Sequence, residues 1–479
     1  MSISRSGRRK FIQQASLAAA AFTIVPRHVL GGPGFLAPSD TLRVAGIGAG
    51  GMGGNDISGV AKSGKATIAF LCDVDDRRAA ASVKSFPNAK YYKDYRVMLD
   101  KEHKNIEAVT VSTPDHNHAV QAMAAMQLGK HVYVQKPLTH DIHEARVLTE
   151  AAAKYKVVTQ MGNQGSSGDG VRQLREWFDA GTIGDVHTVY CWTDRPVWPQ
   201  GIAWPEGKAE VPKELDWDLW LGTAPYKDYV EKLVPFNWRG WWDYGTGALG
   251  DMACHIMEAP FRVLGLTYPD DVHASVGSVY VDSFRRGYFP ESCPPSSHII
   301  FTFPKVGNRP SVKIHWMDGG IQPERPDELG PNEVFGDGGN GVLFIGSKGK
   351  MMCGTYGVNP QLLPTSRTAE VRVPEKYKRV PNGSGGHYNQ WVEACQAGYG
   401  KMELSSSFDI AGPLTEMILI GNLALRSYDI RKPRQGSSTQ FDYPGRGIKL
   451  VWDTASMKVK NFDDANQFVK REYRKGWSL

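Results

Sequence analysis

The sequence predicts an α/β chain: a doubly wound parallel sheet, then an α+β region with an open, mostly antiparallel sheet. Three observations carry that prediction. From Thr41 to Gly162 short apolar runs alternate with helix-like stretches, the order that winds strands in parallel. Beyond Gly181 the strand-like runs are separated by long Pro- and Gly-rich connections, which suits antiparallel pairing. The length, 479 residues, exceeds what a single core serves. Two folded units are therefore expected, residues 41–162 and 163–479, behind a leader of residues 1–37.

The leader comes first. Arg5, Arg8, Arg9, Lys10 and Arg27 face a single acid, Asp40, so much of the formal charge of +6 sits in the first forty residues. The twin Arg8-Arg9 precedes Phe11-Ile12 and an Ala-rich stretch from Ala15 to Val25. This reads as a twin-arginine signal, which hands folded, cofactor-loaded proteins to the Tat machinery for export to the periplasm. The apolar stretch is too short to span a membrane, and no later segment reads as a span. The body is near neutral and has no basic cluster interleaved with aromatics, which speaks against nucleic-acid binding. Cys72, Cys191, Cys254, Cys293, Cys353 and Cys395 are scattered, with no CxxC or zinc-type spacing, and no disulfide pairing can be read from them.

The first folded element is the apolar run Leu42–Ile47, which leads straight into Gly48-Ala49-Gly50-Gly51-Met52-Gly53. A G-x-G-x-x-G turn between strand and helix lets the backbone approach a pyrophosphate and lets helix and strand pack closely. The next run, Ala66–Cys72, ends at Asp73, twenty positions after Gly53. An acid there accepts the ribose 2′-hydroxyl and repels a 2′-phosphate, favouring NAD over NADP, with Arg77 and Arg78 as the counter-signal. Ala108–Ser112, the turn Thr113-Pro114, a helix to Gly129 and the strand His131–Val134 continue the alternation. His116 and His118 open that helix, where a histidine caps it or touches cofactor.

Lys136 follows a strand carboxyl end, where open α/β sheets bind ligands, and such a lysine is suited to proton handling. Asp251 and His255 are four apart and share a helix face, with Gly245-Thr246-Gly247 before them. Two ligands at that spacing could hold a metal, but no third follows at a familiar distance, so none is predicted. Phe236 to Tyr244 is dense in aromatics, a composition that fits either core or a sugar-stacking face. Val186–Trp192, Val272–Val281, Ser297–Phe303 and Ser311–Trp316 read as strands. Asp318–Gly341 reads as a surface or lid loop, and Val342–Gly346 with Lys348–Lys350 as a hairpin. A long apolar helix ending near Arg426 is expected to pack back on the parallel half.

In this order and spacing the motifs resemble the Gfo/Idh/MocA family, named for glucose-fructose oxidoreductase and inositol dehydrogenase. The match rests on Gly48-x-Gly50-x-x-Gly53, Thr113-Pro114 with His118, Gln135-Lys136-Pro137, and Gly247 through His255, and it covers nearly all of the chain after the leader. One departure stands out: the family carries Glu-Lys-Pro where this chain has Gln135-Lys136-Pro137. The resemblance implies a Rossmann domain joined to a C-terminal substrate domain. It implies Lys136, Asp251 and His255 as catalytic residues. Gly48, Gly50, Gly51, Met52, Gly53, Asp73, Thr113, Pro114, His118, Gln135 and Lys136 would meet the cofactor. In a sugar enzyme the aromatic-dense run would place Arg239, Trp241 and Asp243 against the substrate, with core packing the rival for some of them, and His387 would edge the same pocket.

The implied activity is an exported NAD-dependent oxidoreductase moving hydride between nicotinamide and a secondary hydroxyl of a sugar, glycoside or polyol. Two alternatives carry their own signatures. An NAD-dependent glycosidase would release aglycone without net redox change, and a non-catalytic nucleotide-binding protein would retain nucleotide without turnover. An open C-terminal sheet also invites a homo-oligomer through its face.

Overall fold

The computed structural model describes residues 41–437 and 439–479, so residues 1–37, read as a twin-arginine signal, lie outside the described residues. Strands β1 (Leu42–Ile47), β2 (Ala66–Cys72), β3 (Lys90–Tyr92), β4 (Ala108–Val111), β5 (His131–Val134) and β6 (Thr159–Met161) form one sheet in the order β3-β2-β1-β4-β5-β6. Every pairing in it is parallel. Such strands are covered on both faces, which is why β4 is buried at every position rather than alternating. The strand order reverses between β1 and β4, and ligands bind at that crevice in doubly wound sheets. Helices α1 (Met52–Ala61), α2 (Asp76–Ser85), α3 (His118–Gln127) and α4 (Ile142–Tyr155) belong to this half. A capping box between Asp141 and Glu144 starts α4.

The next strand, β7 (Val186–Trp192), enters a second sheet with β8 (Asp271–Val276), β9 (Ser297–Phe303), β10 (Val312–Met317), β11 (Gly341–Gly346), β12 (Gly349–Cys353), β13 (Gln361–Leu363), β14 (Leu450–Asp453) and β15 (Lys458–Val459). Its order is β13-β12-β11-β7-β10-β9-β8-β14-β15. The β7–β10 pair is parallel and the others are antiparallel. Alternate residues of β9 are buried, so one face packs and the other stays half-open.

Three further elements tie the halves together: α5 (Gly247–Ile256), α6 (His387–Ala397) and α7 (Phe408–Tyr428). Helix α7 packs against α4, against α5 and against β8, so it lies between the two sheets. By length and composition it could cross a membrane, a property the sequence reading missed. Most of its apolar window, 83%, is buried inside the protein, as befits a central core helix.

Two other expectations change. The strand expected over Val272–Val281 stops at Val276, and Tyr280–Asp282 pairs separately with Arg285–Arg286. At the break, a side chain on Gly277 would collide with Ser296. The 318–341 segment has little regular structure, yet it is anchored: Leu329 and Phe335 are buried with Trp192, Leu343 and Met352 on the sheet. All six cysteines are free and buried.

Candidate active site

A cleft of about 630 Å³ lies at the carboxyl ends of the parallel strands and is closed by residues of the C-terminal region. The glycine-rich turn forms its floor. Gly48 has φ +81°, and a Cβ there would lie 2.6 Å from the Ser112 carbonyl oxygen. A Cβ on Gly53 would run into the Gly48 carbonyl, so α1 can lie against β1 only with glycine at that position. No side chain caps the start of α1, and although the Gly53 amide donates to the Gly50 carbonyl, the positive end of the helix is left to face an anion. Gly53 itself therefore acts in packing, while Gly48, Gly50, Gly51 and Met52 line the cleft.

Asp73 sits at the end of β2 with both carboxylate oxygens engaged. Oδ2 accepts from the amides of Ala49 (2.8 Å) and Gly50 (3.1 Å), and Oδ1 accepts from Asp75 N (2.9 Å). Burial raises its pKa, and these amides oppose that rise. Of the two arginines nearby, Arg77 is held in an ion pair with Asp75, and Arg78 lines the cleft beside Gly50 and Gly51. The glycine cradle, the uncapped helix start and Asp73 fit a dinucleotide. The bare backbone at Gly48, Gly50 and Gly51 would let its pyrophosphate approach the turn, and Asp73 would meet its ribose.

At the other end of the cleft Lys136, Asp251, Arg239 and His255 converge. Lys136 Nζ donates to Asp251 Oδ1 (2.8 Å) and to its carbonyl oxygen (3.0 Å), and Arg239 Nε donates to the same Oδ1 (3.3 Å). Burial would raise the Asp251 carboxyl, but Lys136 and Arg239 outweigh it and hold the group down at about 2. His255, one turn along α5, is buried with Nδ1 unbonded, its ring edge-on to Tyr356 at 4.6 Å. Burial, reinforced by Lys136, lowers His255 to about 3, so the ring is neutral near pH 7. Thr113, Pro114 and Gln135 line the same cleft.

Gln135 explains itself once Asp56 is seen. Its amide nitrogen lies 2.9 Å from each oxygen of Asp56, which also accepts from Ser112 Oγ (2.7 Å) and the Tyr388 hydroxyl (2.8 Å). The acid absent at position 135 is matched by a buried carboxylate on α1. Burial pushes Asp56 up to about 6 despite those three donors.

Besides Gly53, four of the sequence-predicted residues do not reach the cleft. His118 is buried and bridges two loops, its ring nitrogens 2.8 Å from the Pro137 carbonyl and 2.7 Å from the Thr113 carbonyl. It positions the Thr113 and Lys136 turns from behind. Trp241 is buried in an aromatic cluster, edge-on to Trp204. Asp243 is ion-paired with Lys227 at 2.8 Å and faces a different cavity. His387 is fully buried, 2.7 Å from Ser167 Oγ and 2.9 Å from the Met161 carbonyl, and ties α6 to the end of β6. His116 is likewise buried, between the carbonyls of Tyr244 and Trp220.

The aromatic face of the cleft comes instead from Trp198, Phe236 and Trp238, with the Arg239 guanidinium 4.4 Å from the Trp238 ring. Sequence reasoning also missed Tyr356, Asp115 and Asp56. Tyr356 carries a left-handed backbone (φ +65°), an uncommon geometry for a bulky residue and one that sites exploit. Asp115 lines the cleft and accepts from Thr246 Oγ1 at 2.7 Å. Only Asp56 had a local signal, the single charged residue of the first helix. Among the described residues no group of three or more His, Cys, Asp or Glu is placed to hold a metal.

Comparison with known proteins agrees with the fold. The oxidoreductase family model with an NAD-binding Rossmann fold (Gfo/Idh/MocA) matches residues 42–163, and the family's C-terminal alpha/beta domain matches residues 182–283. An inositol 2-dehydrogenase of Rhodococcus erythropolis is 28% identical over 35% of this chain and 48% of its own length. A levoglucosan dehydrogenase of Pseudarthrobacter phenanthrenivorans is 22% identical over 41% of this chain and 42% of its own. The chain thus spans less than half the length of these curated relatives. Levoglucosan dehydrogenase solved with NADH and levoglucosan superposes with a TM-score of 0.54 at 17% identity, covering 81% of this chain and 98% of that one. The WlbA dehydrogenase of Bordetella pertussis, solved with NADH and UDP-GlcNAcA, gives 0.55 at 16% identity, covering 83% and 100%.

Proposed function

We propose, on the premise that this chain is a Gfo/Idh/MocA-family oxidoreductase with an NAD-binding Rossmann domain, that its cleft oxidises a secondary hydroxyl of a sugar or polyol. The observation that carries the reading is the convergence of Lys136, Asp251, Arg239 and His255 in the cleft that the glycine-rich turn floors. NAD, when bound, supplies the hydride acceptor. The chain's own residues supply position and proton traffic. Lys136 donates to the alcohol oxygen and is itself held by Asp251. His255, neutral and lining the cleft, accepts the hydroxyl proton. Trp198, Phe236 and Trp238 pack on the CH faces of the ring, and Arg239 binds a neighbouring hydroxyl. The relatives that act on inositol and levoglucosan support a cyclic polyol or sugar as substrate class.

Mass spectrometry of the NAD-incubated protein with a panel of sugars, glycosides and polyols tests this. A product two mass units lighter is expected, with turnover reduced about 10²–10⁴-fold in Lys136→Ala and in His255→Ala. Free aglycone with no oxidised product would point to glycoside cleavage. Retained nucleotide with no product across the panel would sink the catalytic reading.

The location is a separate proposal: Arg8-Arg9 and the apolar stretch after it route the folded protein to the Tat machinery and the periplasm. Replacing both arginines by lysine should leave the protein in the cytoplasmic fraction, and an unchanged distribution would refute export by this route. We also assign the half-open face of the C-terminal sheet as a contact between copies of the chain. Light scattering that returns a monomer at micromolar concentration would remove that assignment.

A further inference from the structure

Residues 470–479 follow a 3-10 turn (Asp463–Phe468) that packs on α7 and β15, and from there they cross onto the parallel half. The crossing is fastened by ion pairs and hydrogen bonds. Arg471 donates to Glu144 Oε1 (2.9 Å) in the first turn of α4 and to Thr223 Oγ1 (2.9 Å), and the Tyr473 hydroxyl donates to the same Glu144 oxygen (2.6 Å). Arg474 donates through Nε to the Gly222 carbonyl (3.1 Å) and through its amide to the Thr223 carbonyl (3.0 Å), and its guanidinium pairs with Asp218. Glu144 is 1% exposed, and charge-assisted bonds to a buried carboxylate are strong, so the course of the segment is fixed.

The turn that follows delivers Trp477 to the cleft. Its amide donates to the Arg474 carbonyl (3.1 Å), and its half-buried indole lines the cleft wall. The ring lies beside Tyr95, with centroids 6.4 Å apart, and the Arg96 guanidinium sits 4.5 Å from it. Arg96 is in turn held by Asp94 at 2.7 Å. Tyr95 and Leu219, the neighbour of Asp218, line the cleft as well.

This wall lies on the Asp73 side, away from Lys136 and His255. The Asp73 amide donates to the Tyr92 carbonyl (3.1 Å), and the Tyr91 hydroxyl donates to the Asp73 carbonyl (2.8 Å). The ends of β2 and β3 therefore run side by side, and Tyr95 opens the helix after β3. A dinucleotide with its pyrophosphate on the glycine turn and its ribose at Asp73 carries its base outward on this side. A purine is flat and offers two π faces, and aromatic side chains are the groups that pack on them best.

We propose that Trp477 packs on the adenine base of the bound dinucleotide and that residues 470–479 are a strap that slows its release. The proposal rests on the dinucleotide reading of the glycine turn and extends it to a residue outside the parallel half. Tyr95 and Leu219 wall the base pocket, and the indole closes it. Because Arg471 and Arg474 pin the indole, departure of the base is coupled to loosening of the strap.

Calorimetric titration of the full chain with NAD and with ADP-ribose, together with displacement of NADH followed by its fluorescence, tests the assignment. Trp477→Ala should weaken NAD and ADP-ribose alike by at least about tenfold and speed NADH release by a similar factor. Trp477→Phe, which keeps an aromatic face, should stay within about threefold of the parent. Arg474→Gln keeps the indole but loosens the strap at an exposed ion pair, and should speed release at least about threefold even where Trp477→Ala does not fold. Release at the parent rate in both Trp477→Ala and Arg474→Gln would overturn the proposal. A loss in Trp477→Phe as large as in Trp477→Ala, or one confined to NAD with ADP-ribose untouched, would overturn it too. A parent chain that binds neither ligand would instead remove the dinucleotide reading, and the proposal with it.

Discussion

Gln135 and Asp56 form a matched pair, and the match makes a sharp prediction. The amide at position 135 donates to both oxygens of Asp56 at 2.9 Å, so a carboxyl placed there would face another carboxyl at hydrogen-bond distance. Two such groups cannot both ionise, and the folded state would retain a proton that the unfolded chain releases. Gln135→Glu should therefore cost about 1–3 kcal/mol at pH 8 and progressively less toward pH 5. Thermal melts at the two pH values check this, and an equal loss at both would contradict it. The glycine turn and Asp73 were legible in the sequence because local sterics and strand spacing dictate them. Asp56 as the partner of Gln135 was not, since Tyr388, which completes its shell, lies 332 positions away.

At the scale of the element, α5 presents Asp251 and His255 because residues four apart share a helix face, and the sequence reading depended on that spacing. The start of α5 is held by the Thr246–Asp115 hydrogen bond at 2.7 Å. A Cβ on Gly250 would strike Thr246 Oγ1, so Gly250→Ala must break that bond or shift the helix. The expected outcome is a stability loss of about 1–3 kcal/mol together with a lower kcat/KM. Because Thr246 Cβ lies as close as its hydroxyl, Thr246→Gly in the same chain should recover part of the stability without the activity, while Thr246→Ala should not, a combination read from melting curves and steady-state kinetics. Helix α7 answers to packing instead. Met417 is fully buried in it, and Met417→Ala should cost about 2–5 kcal/mol by denaturant titration.

For the whole molecule, buried titratable groups set a pH profile from both sides. Burial pushes Asp56 up to about 6, Asp318 to about 6 and Glu258 to about 7. Each of these acids contributes stability below its unfolded value of about 4 that is lost as pH rises through 6 to 7. Burial lowers His116 and His255 to about 3 and His387 to about 4. These histidines contribute stability above an unfolded value of about 6.5 that is lost as pH falls through 6.5 toward 3. The two sets oppose each other between about pH 4 and 7, so the melting temperature should change little there and fall below about pH 4, and Glu258→Gln should lose less stability than the parent between about pH 5 and pH 8.

By itself the sequence determined the parallel half, its glycine-rich turn and the shared helix face of Asp251 and His255, because each is a short motif whose geometry follows from backbone sterics or helical spacing, whereas the meeting of Lys136 with Asp251, 115 positions away, is tertiary. Only the tertiary structure decided which aromatics of residues 236–244 face the cleft, that Asp243 and His387 turn away, and that Tyr356 stands over His255. Those outcomes depend on contacts between residues far apart in the chain. Burial and long-range packing choose among side chains that local spacing leaves equivalent.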